Sequence, residues 1–148
     1  MPRVTGYEIP VEAVVTLATH PNIFGMKDSG ARPVRIKEIA NSLDDPFLMF
    51  AGASIALAPS MAAGGYGAIN ASGNYASELI SELVAASAVL QADAEAHQAQ
   101  LTSIVKEVES FGLPGTKAAA NARGLHAGFP RRPLLPLNAD DAAGVASL

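Results

Sequence analysis

The chain of 148 residues contains no cysteine and no tryptophan. Without cysteine it has no disulfide framework, no thiolate metal site and no thiol nucleophile. Charged residues make up only 16%, with a net charge of −4 and a pI near 5.2, which argues against nucleic acid and membrane surfaces as partners. No apolar run approaches the roughly 18 residues of a membrane span, and the N-terminus lacks a secretory signal pattern. We therefore expect a soluble, cytoplasmic protein, with the mitochondrial matrix as the alternative in a eukaryote.

Strand and helix patterns alternate through the first half of the chain. Apolar runs at residues 23–26 and 47–50 and a third short run at 66–70 predict three strands, separated by amphipathic helical patterns. The first of them is predicted to be buried on both faces, as strands of parallel sheets are. Strands alternating with helices are typical of right-handed βαβ units and a parallel sheet. Hydrophobic residues make up 49% of the chain, enough for the core of about one domain. Three strands are too few for a closed (β/α)₈ barrel, which takes about 250 residues. The chain is therefore a small α/β domain or part of a larger one.

The helix predicted at residues 33–43 has an apolar stripe and a charged face. The stripe consists of Ile36, Ile39, Ala40 and Leu43, at the spacing of one helix face. Its charged residues are predicted to point outward; they are Arg35, Lys37 and Glu38. The helix is expected to end at a turn of Asp44, Asp45 and Pro46.

The second half of the chain has a helical pattern. We predict helices at about 75–91, 94–110 and 116–123, with the segment 113–115 as the break before the third. Leu79, Leu83, Ala86 and Leu90 share one face of the first helix. A proline-rich segment follows at 129–137, and the Ala/Asp-rich end is expected to fray. The chain is accordingly divided into residues 1–74, 75–137 and 138–148.

Lys27 follows the first apolar run and precedes Asp28, Ser29 and Gly30. In parallel α/β sheets the carboxyl ends of strands are where catalytic groups collect. Desolvation there favours a neutral amine, and a neutral amine attacks carbonyl groups to form Schiff bases. The alternative is an ordinary solvated lysine with Asp28 as a surface partner. The position alone leaves both interpretations open.

Six segments resemble one enzyme family, in family order. TGYEIPVEAVVTLA at 5–18 and HPNIFGMKDSG at 20–30 resemble the lysine strand of the dihydrodipicolinate synthase/N-acetylneuraminate lyase family, above all its 4-hydroxy-2-oxoglutarate aldolase branch. FAGAS at 50–54 and GGYGAIN at 64–70 are similar to the glycine-ended seventh strand and the eighth. FGLPGTK at 111–117 and RRPLLPL at 131–137 are similar to the C-terminal helical region and its closing segment.

The resemblance implies the C-terminal part of a TIM (β/α)₈ barrel, about strands 6 to 8, followed by a helical region. It implies a class I aldolase or lyase that makes or breaks a C–C bond of a 2-oxo acid through a Schiff base on Lys27. Ser29 would line the pocket, while the backbone at Gly52 and Ile69 would face the keto acid. Such chemistry needs no metal and no organic cofactor. The branch implies 4-hydroxy-2-oxoglutarate as substrate, with pyruvate and glyoxylate as products; 4-hydroxy-tetrahydrodipicolinate synthase is the alternative.

Two parts of the family pattern have no counterpart in this chain. These are the Gly-Ser/Thr loop that holds the substrate carboxylate and the tyrosine that relays protons; Tyr7, Tyr66 and Tyr75 stand at other positions. The chain is then expected to be half of a barrel, a truncated and inactive fragment, or a non-catalytic half-barrel that acts by pairing. Uncovered sheet edges favour a homo-oligomer.

An unrelated small α/β binding domain is the remaining alternative. In that interpretation the turn at residues 64–67 approaches a phosphate, although it lacks a full phosphate-binding glycine motif. The pair Arg131-Arg132 could bind an anion in the same way, but a structural or surface role is favoured for both features.

Overall fold

The structure is a computed structural model that describes residues 2–44, 46–88 and 93–148. Asp45 of the predicted turn and Leu90 of the predicted helix face lie outside the described residues. The strands are β1 (Gly25–Asp28), β2 (Leu48–Ala51) and β3 (Gly67–Ala68). The helices are α1 (Pro2–Thr5), α2 (Val11–Ala18), α3 (Pro33–Asn41), α4 (Leu57–Ala62), α5 (Ser77–Ala88), α6 (Asp93–Ser110), α7 (Gly112–Ala122) and α8 (Ala139–Ala146), with 3₁₀ turns at Ser54–Ala56 and Ala71–Asn74.

The three strands form one parallel sheet in the order β1-β2-β3. Lys27 pairs with Phe50, and Phe50 pairs with Gly67 on the other side. The predicted α/β class and parallel sheet are confirmed. The strands are displaced from their apolar runs: β1 starts two residues later than predicted, and β3 contains only two residues.

The two faces of the sheet differ in what covers them. Side chains alternate between faces along a strand, so Met49 and Ala51 share one face and Phe50 lies on the other. Met49 and Ala51 are each 1% exposed beneath the helices, whereas Lys27 on the second face is exposed. The expectation that the first strand is buried on both faces is therefore wrong, because helices cover only one face of this sheet.

Among the described residues, two clusters of apolar side chains form the core on the covered face. The smaller one joins α2, α3 and β2 through Val14, Ile36, Ile39 and Met49. The larger one joins the sheet end to the C-terminal helices and includes Ala51, Leu57, Leu83, Leu101, Val105, Val108, Ala119 and Val145. The helical region thus packs directly against the end of the sheet.

Two prolines lie inside helices without breaking them. Pro114 is the third residue of α7, which begins at Gly112, and Pro59 is the third residue of α4. The first-turn N–H groups of a helix have no intrahelical partner, so proline is tolerated there. The predicted break at 113–115 is wrong; the chain turns at Gly112, whose φ is +63°.

The C-terminal segment, for which the sequence predicts fraying, forms the helix α8. The Asn138 side chain caps α8 by accepting the N–H of Asp141 at 2.8 Å. Val145 is 4% exposed and belongs to the larger core cluster. The cap and the anchor together explain why an Ala/Asp-rich end is ordered. Within the described ranges, no helix combines the length and apolar character needed to cross a membrane.

Candidate active site

Lys27 is the third residue of the four-residue strand β1. It therefore lies within the strand, one residue before its end, rather than in the loop that follows. Because it pairs with Phe50, its side chain stands on the open face of the sheet, and it is exposed. An amine in this position is accessible to a small carbonyl compound.

Gly52 lies directly beside Lys27 and Ser29. A Cβ atom placed on Gly52 would lie 2.6 Å from Lys27 Cε and 2.9 Å from the Asp28 carbonyl oxygen, and it would also collide with Ser29 Oγ. Real Cβ atoms do not approach other atoms this closely. Glycine at position 52 therefore leaves the space in which the lysine and the serine side chains lie together.

Backbone hydrogen bonds extend the sheet beyond the ends of the strands. The N–H of Gly52 donates to the Asp28 carbonyl at 2.7 Å, and the N–H of Ile69 donates to the Ala51 carbonyl at 3.0 Å. Lys27, Ser29 and Gly52 are thus brought into contact, and Ile69 lies at the same sheet edge, one strand further. Since both N–H groups are used by the sheet, a ligand here would meet side chains and carbonyl oxygens.

Asp28 pairs with Arg35 of α3. Arg35 Nε donates to Asp28 Oδ2 at 2.6 Å, and the Arg35 side chain is 2% exposed. The prediction that Arg35 points outward is wrong, and so is the suggestion of Asp28 as a surface partner of Lys27. The sequence contained a signal for this: Arg35 is four residues before the buried Ile39, and residues at that spacing share a helix face.

A buried polar group connects the segments that follow β2 and β3. Ser54 Oγ and Ser72 Oγ are 2.7 Å apart. Gln98 of α6 donates to the Ser54 carbonyl at 3.0 Å and accepts the N–H of Ala58 at 2.7 Å. No local pattern in the sequence indicates this group, because its members are separated by up to 44 residues along the chain.

An aromatic pair lies at the same sheet. The rings of Phe50 and Tyr66 pack edge to face with centroids 5.6 Å apart.

The glycine turn before Tyr66 has a structural reason: a Cβ on Gly65 would lie 2.7 Å from the Ser60 carbonyl oxygen. Nothing in this geometry supports the phosphate-binding interpretation of residues 64–67.

A separate cavity lies in the helical region. It has a volume of about 440 Å³ and is lined by residues of α5, α6, α7 and α8 together with Tyr75. Lys27, Ser29, Gly52 and Ile69 are not among its lining residues. Among the described residues, no three His, Asp or Glu side chains are grouped so that they could hold a metal ion.

Comparison with known proteins agrees with the resemblance seen in the sequence. The model of the dihydrodipicolinate synthetase family matches residues 1–148. The 4-hydroxy-tetrahydrodipicolinate synthase of Lacticaseibacillus casei is 34% identical over 152 residues, covering 100% of this chain and 50% of that protein. This chain spans about half the length of the curated relatives it matches.

Two solved structures share the fold. Dihydrodipicolinate synthase from Bacillus anthracis superposes with a TM-score of 0.79 at 26% identity, over 99% of this chain and 51% of its own. A prophage protein of the dihydrodipicolinic acid synthase family from E. coli K12, in complex with pyruvate, gives a TM-score of 0.83 at 25% identity, over 99% of this chain and 52% of its own. On the match of the family model to its entire length, this chain belongs to the dihydrodipicolinate synthetase family.

Proposed function

We propose that this chain carries the Schiff-base part of a carbon–carbon lyase that acts on 2-oxo acids, with Lys27 as the nucleophile. One observation carries the proposal: Lys27 lies on the open face of the sheet, in a space that exists because residue 52 is glycine. An amine that is accessible and held beside a hydroxyl group is suited to attack a small ketone. Family membership and the pyruvate complex of the E. coli neighbour support the same chemistry.

The proposed reaction begins at the neutral amine of Lys27. The nitrogen lone pair attacks the C2 carbonyl of the 2-oxo acid. The resulting carbinolamine takes up a proton and loses water to give an iminium ion. In cleavage, the C4 hydroxyl loses its proton while the C3–C4 bond breaks. Its electron pair moves into an enamine, and an aldehyde leaves. Protonation at C3 and hydrolysis by water then release the 2-oxo acid product and the amine. The iminium is the electron sink, so no metal or organic cofactor takes part.

Ser29 and Gly52 are proposed to bind and orient the substrate. Ser29 Oγ lies against the same space as Lys27 Cε, where a hydroxyl can hydrogen-bond the substrate or the carbinolamine oxygen. The carbonyl oxygens at Gly52 and Ile69 would face the bound keto acid from the ends of the neighbouring strands. Orienting interactions of this kind raise the rate because the reacting atoms are held in an attack geometry.

For the substrate we propose 4-hydroxy-2-oxoglutarate, cleaved to pyruvate and glyoxylate. The segments MKDSG at 26–30 and FGLPG at 111–115 favour this branch of the family. The second candidate is 4-hydroxy-tetrahydrodipicolinate synthase, which is the name of the curated relatives. Both candidates use a pyruvate Schiff base, so assays with glyoxylate and with the synthase's second substrate distinguish them.

We further propose that the three strands are the last three of a (β/α)₈ barrel that a second half, or a second copy of the chain, completes. The chain spans about half the length of its relatives, and one face of its sheet is uncovered. A second half would also supply the carboxylate-binding loop and the proton-relay tyrosine, which a second copy of this chain would not. Because loss of acid–base help lowers rates by about 10²–10⁴-fold, the isolated chain is expected to have little or no turnover. The non-catalytic alternative is a half-barrel that functions only by pairing.

Borohydride reduction in the presence of pyruvate, followed by peptide mass mapping, tests the proposal. We expect the pyruvate-derived mass on the peptide that contains Lys27 and its loss in Lys27→Met. Lys37→Met is the matched control, since Lys37 is also exposed but lies on α3. Labelling that persists in Lys27→Met, or that maps to Lys37, Lys106 or Lys117, would refute the role of Lys27. Turnover of 4-hydroxy-2-oxoglutarate by the chain alone would refute the need for a second half.

A further inference from the structure

We infer that Arg35 is a positioning residue for the Schiff-base lysine: its guanidinium fixes Asp28, the residue between Lys27 and Ser29. The inference rests on the proposed function, because it concerns how the chain holds that lysine. Arg35 itself lies behind the sheet and acts only through Asp28.

The guanidinium of Arg35 makes contacts in two directions. Its Nε donates to Asp28 Oδ2 at 2.6 Å, and its Nη2 donates to the Ile9 carbonyl at 2.6 Å. Its Nη1 lies 3.7 Å from Glu8 Oε1. The side chain is 2% exposed and that of Asp28 is 8% exposed. A buried pair with this geometry is rigid, because both charges have fixed hydrogen-bond partners.

Asp28 is held at three atoms. Its Oδ2 accepts from Arg35, its Oδ1 accepts the N–H of Gly30 at 2.6 Å, and its carbonyl accepts the N–H of Gly52 at 2.7 Å. Lys27 and Ser29, on either side of Asp28 in the chain, both lie against Gly52. The orientation of Asp28 therefore sets where the amine and the hydroxyl stand relative to each other.

Lysine could not replace Arg35 in this role. The two shortest contacts of Arg35 come from two different nitrogens of one planar group and reach Asp28 and Ile9 at the same time. An ammonium group is a single point of charge and cannot reproduce this fork. Arg35→Lys keeps the positive charge beside Asp28 but loses the geometry, which makes it a sharp test of positioning.

The experiment uses the full 148-residue chain and traps pyruvate with borohydride. Two quantities are measured: the rate constant of trapping and the final amount trapped. A lower folded fraction reduces the amount, whereas misplacement of the amine reduces the rate constant. We expect a rate constant about 10- to 100-fold lower in Arg35→Lys and Arg35→Met. The control Arg32→Met should keep the parent rate, because Arg32 contacts the same Glu8 at 3.3 Å but is largely exposed.

The double variant Asp28→Asn/Arg35→Met separates positioning from stability. It leaves no buried charge without a counter-ion, so we expect the amount trapped to recover while the rate constant stays low. Parent-like rate constants in Arg35→Lys and in the double variant would overturn the inference. Absence of trapping in the parent chain would refute the proposed function instead. If the parent chain does not trap pyruvate, the rate of exchange of the Gly30 amide hydrogen with solvent decides whether Arg35 positions Asp28. We expect exchange about tenfold faster in Arg35→Lys than in the parent chain, and an unchanged rate would overturn the inference.

Discussion

The side chain of Lys27 occupies space that any residue larger than glycine at position 52 would need. A Cβ there would lie 2.6 Å from Lys27 Cε. The two residues belong to neighbouring segments of the sheet, joined by the hydrogen bond from the Gly52 N–H to the Asp28 carbonyl. Two separate parts of the sequence therefore contribute to the open face of the sheet. One supplies the lysine, and the other leaves the space around it.

Gly52→Ala is expected to displace Lys27 and Ser29 and to slow pyruvate trapping by about 100-fold, since a misplacement of about 1 Å has this effect on an oriented reaction. Gly67→Ala is the matched control. A Cβ on Gly67 would lie 3.6 Å from the Phe50 ring, an ordinary contact. Trapping kinetics of the two variants check the prediction, and equal rates in both would contradict it.

The chain is expected to associate in solution. Phe24 is 71% exposed and Tyr66 65% exposed, each just before a strand, and uncovered strand edges drive pairing. Light scattering should show a dimer or larger species, shifted towards monomer in Phe24→Ser/Tyr66→Ser. Leu135→Ser, at a residue of similar exposure (69%) in the C-terminal segment, should leave association unchanged. A parent chain that is a folded monomer would contradict the prediction.

Tyr75→Phe is expected to change how stability depends on pH. Burial, with a smaller contribution from Glu109, raises the pKa of Tyr75 well above its usual range. Above about pH 10 the unfolded chain loses this proton while the folded chain keeps it, so the free energy of unfolding falls by about 1.4 kcal/mol per pH unit. The Phe variant lacks this pH-dependent component. Its free energy of unfolding should therefore rise relative to that of the parent chain between pH 8 and pH 11.

At pH 8 the same substitution should not lower stability, because the Tyr75 hydroxyl is buried and has no hydrogen-bond partner among the described residues. Urea unfolding at both pH values measures the two effects. Tyr7→Phe, which removes an exposed hydroxyl, is the control. A Tyr75→Phe variant that follows the parent curve across this pH range would show that the group does not titrate as expected.

Asn138→Ala is expected to destabilise α8 by about 1 kcal/mol, because the side-chain cap on the Asp141 N–H is lost. Asn138→Ser should keep the cap, since serine is an equally good N-cap residue and adds no charge beside Asp141. Amide hydrogen exchange over residues 139–146 reports the difference. Equal exchange in the two variants would mean that the core contact of Val145 alone holds the helix.

The sequence by itself determined the parallel α/β arrangement, the position of Lys27 near a strand end and the buried stripe of Ile36 and Ile39 in α3. These features depend on local properties: an apolar run favours a buried strand, and apolar residues three and four apart favour one helix face. The family resemblance added the roles proposed for Ser29, Gly52 and Ile69, which remain predictions.

Only the tertiary structure decided which groups meet. Arg35 is buried because α3 lies between the Glu8-Ile9 segment and the end of β1, so its guanidinium finds an acceptor on each side. Val145 anchors α8 because a core built from residues far away in sequence offers it a place. The face that carries Lys27 is open because the helices of this chain cover only the other side. Such outcomes depend on contacts between distant segments, and local periodicity carries no information about them.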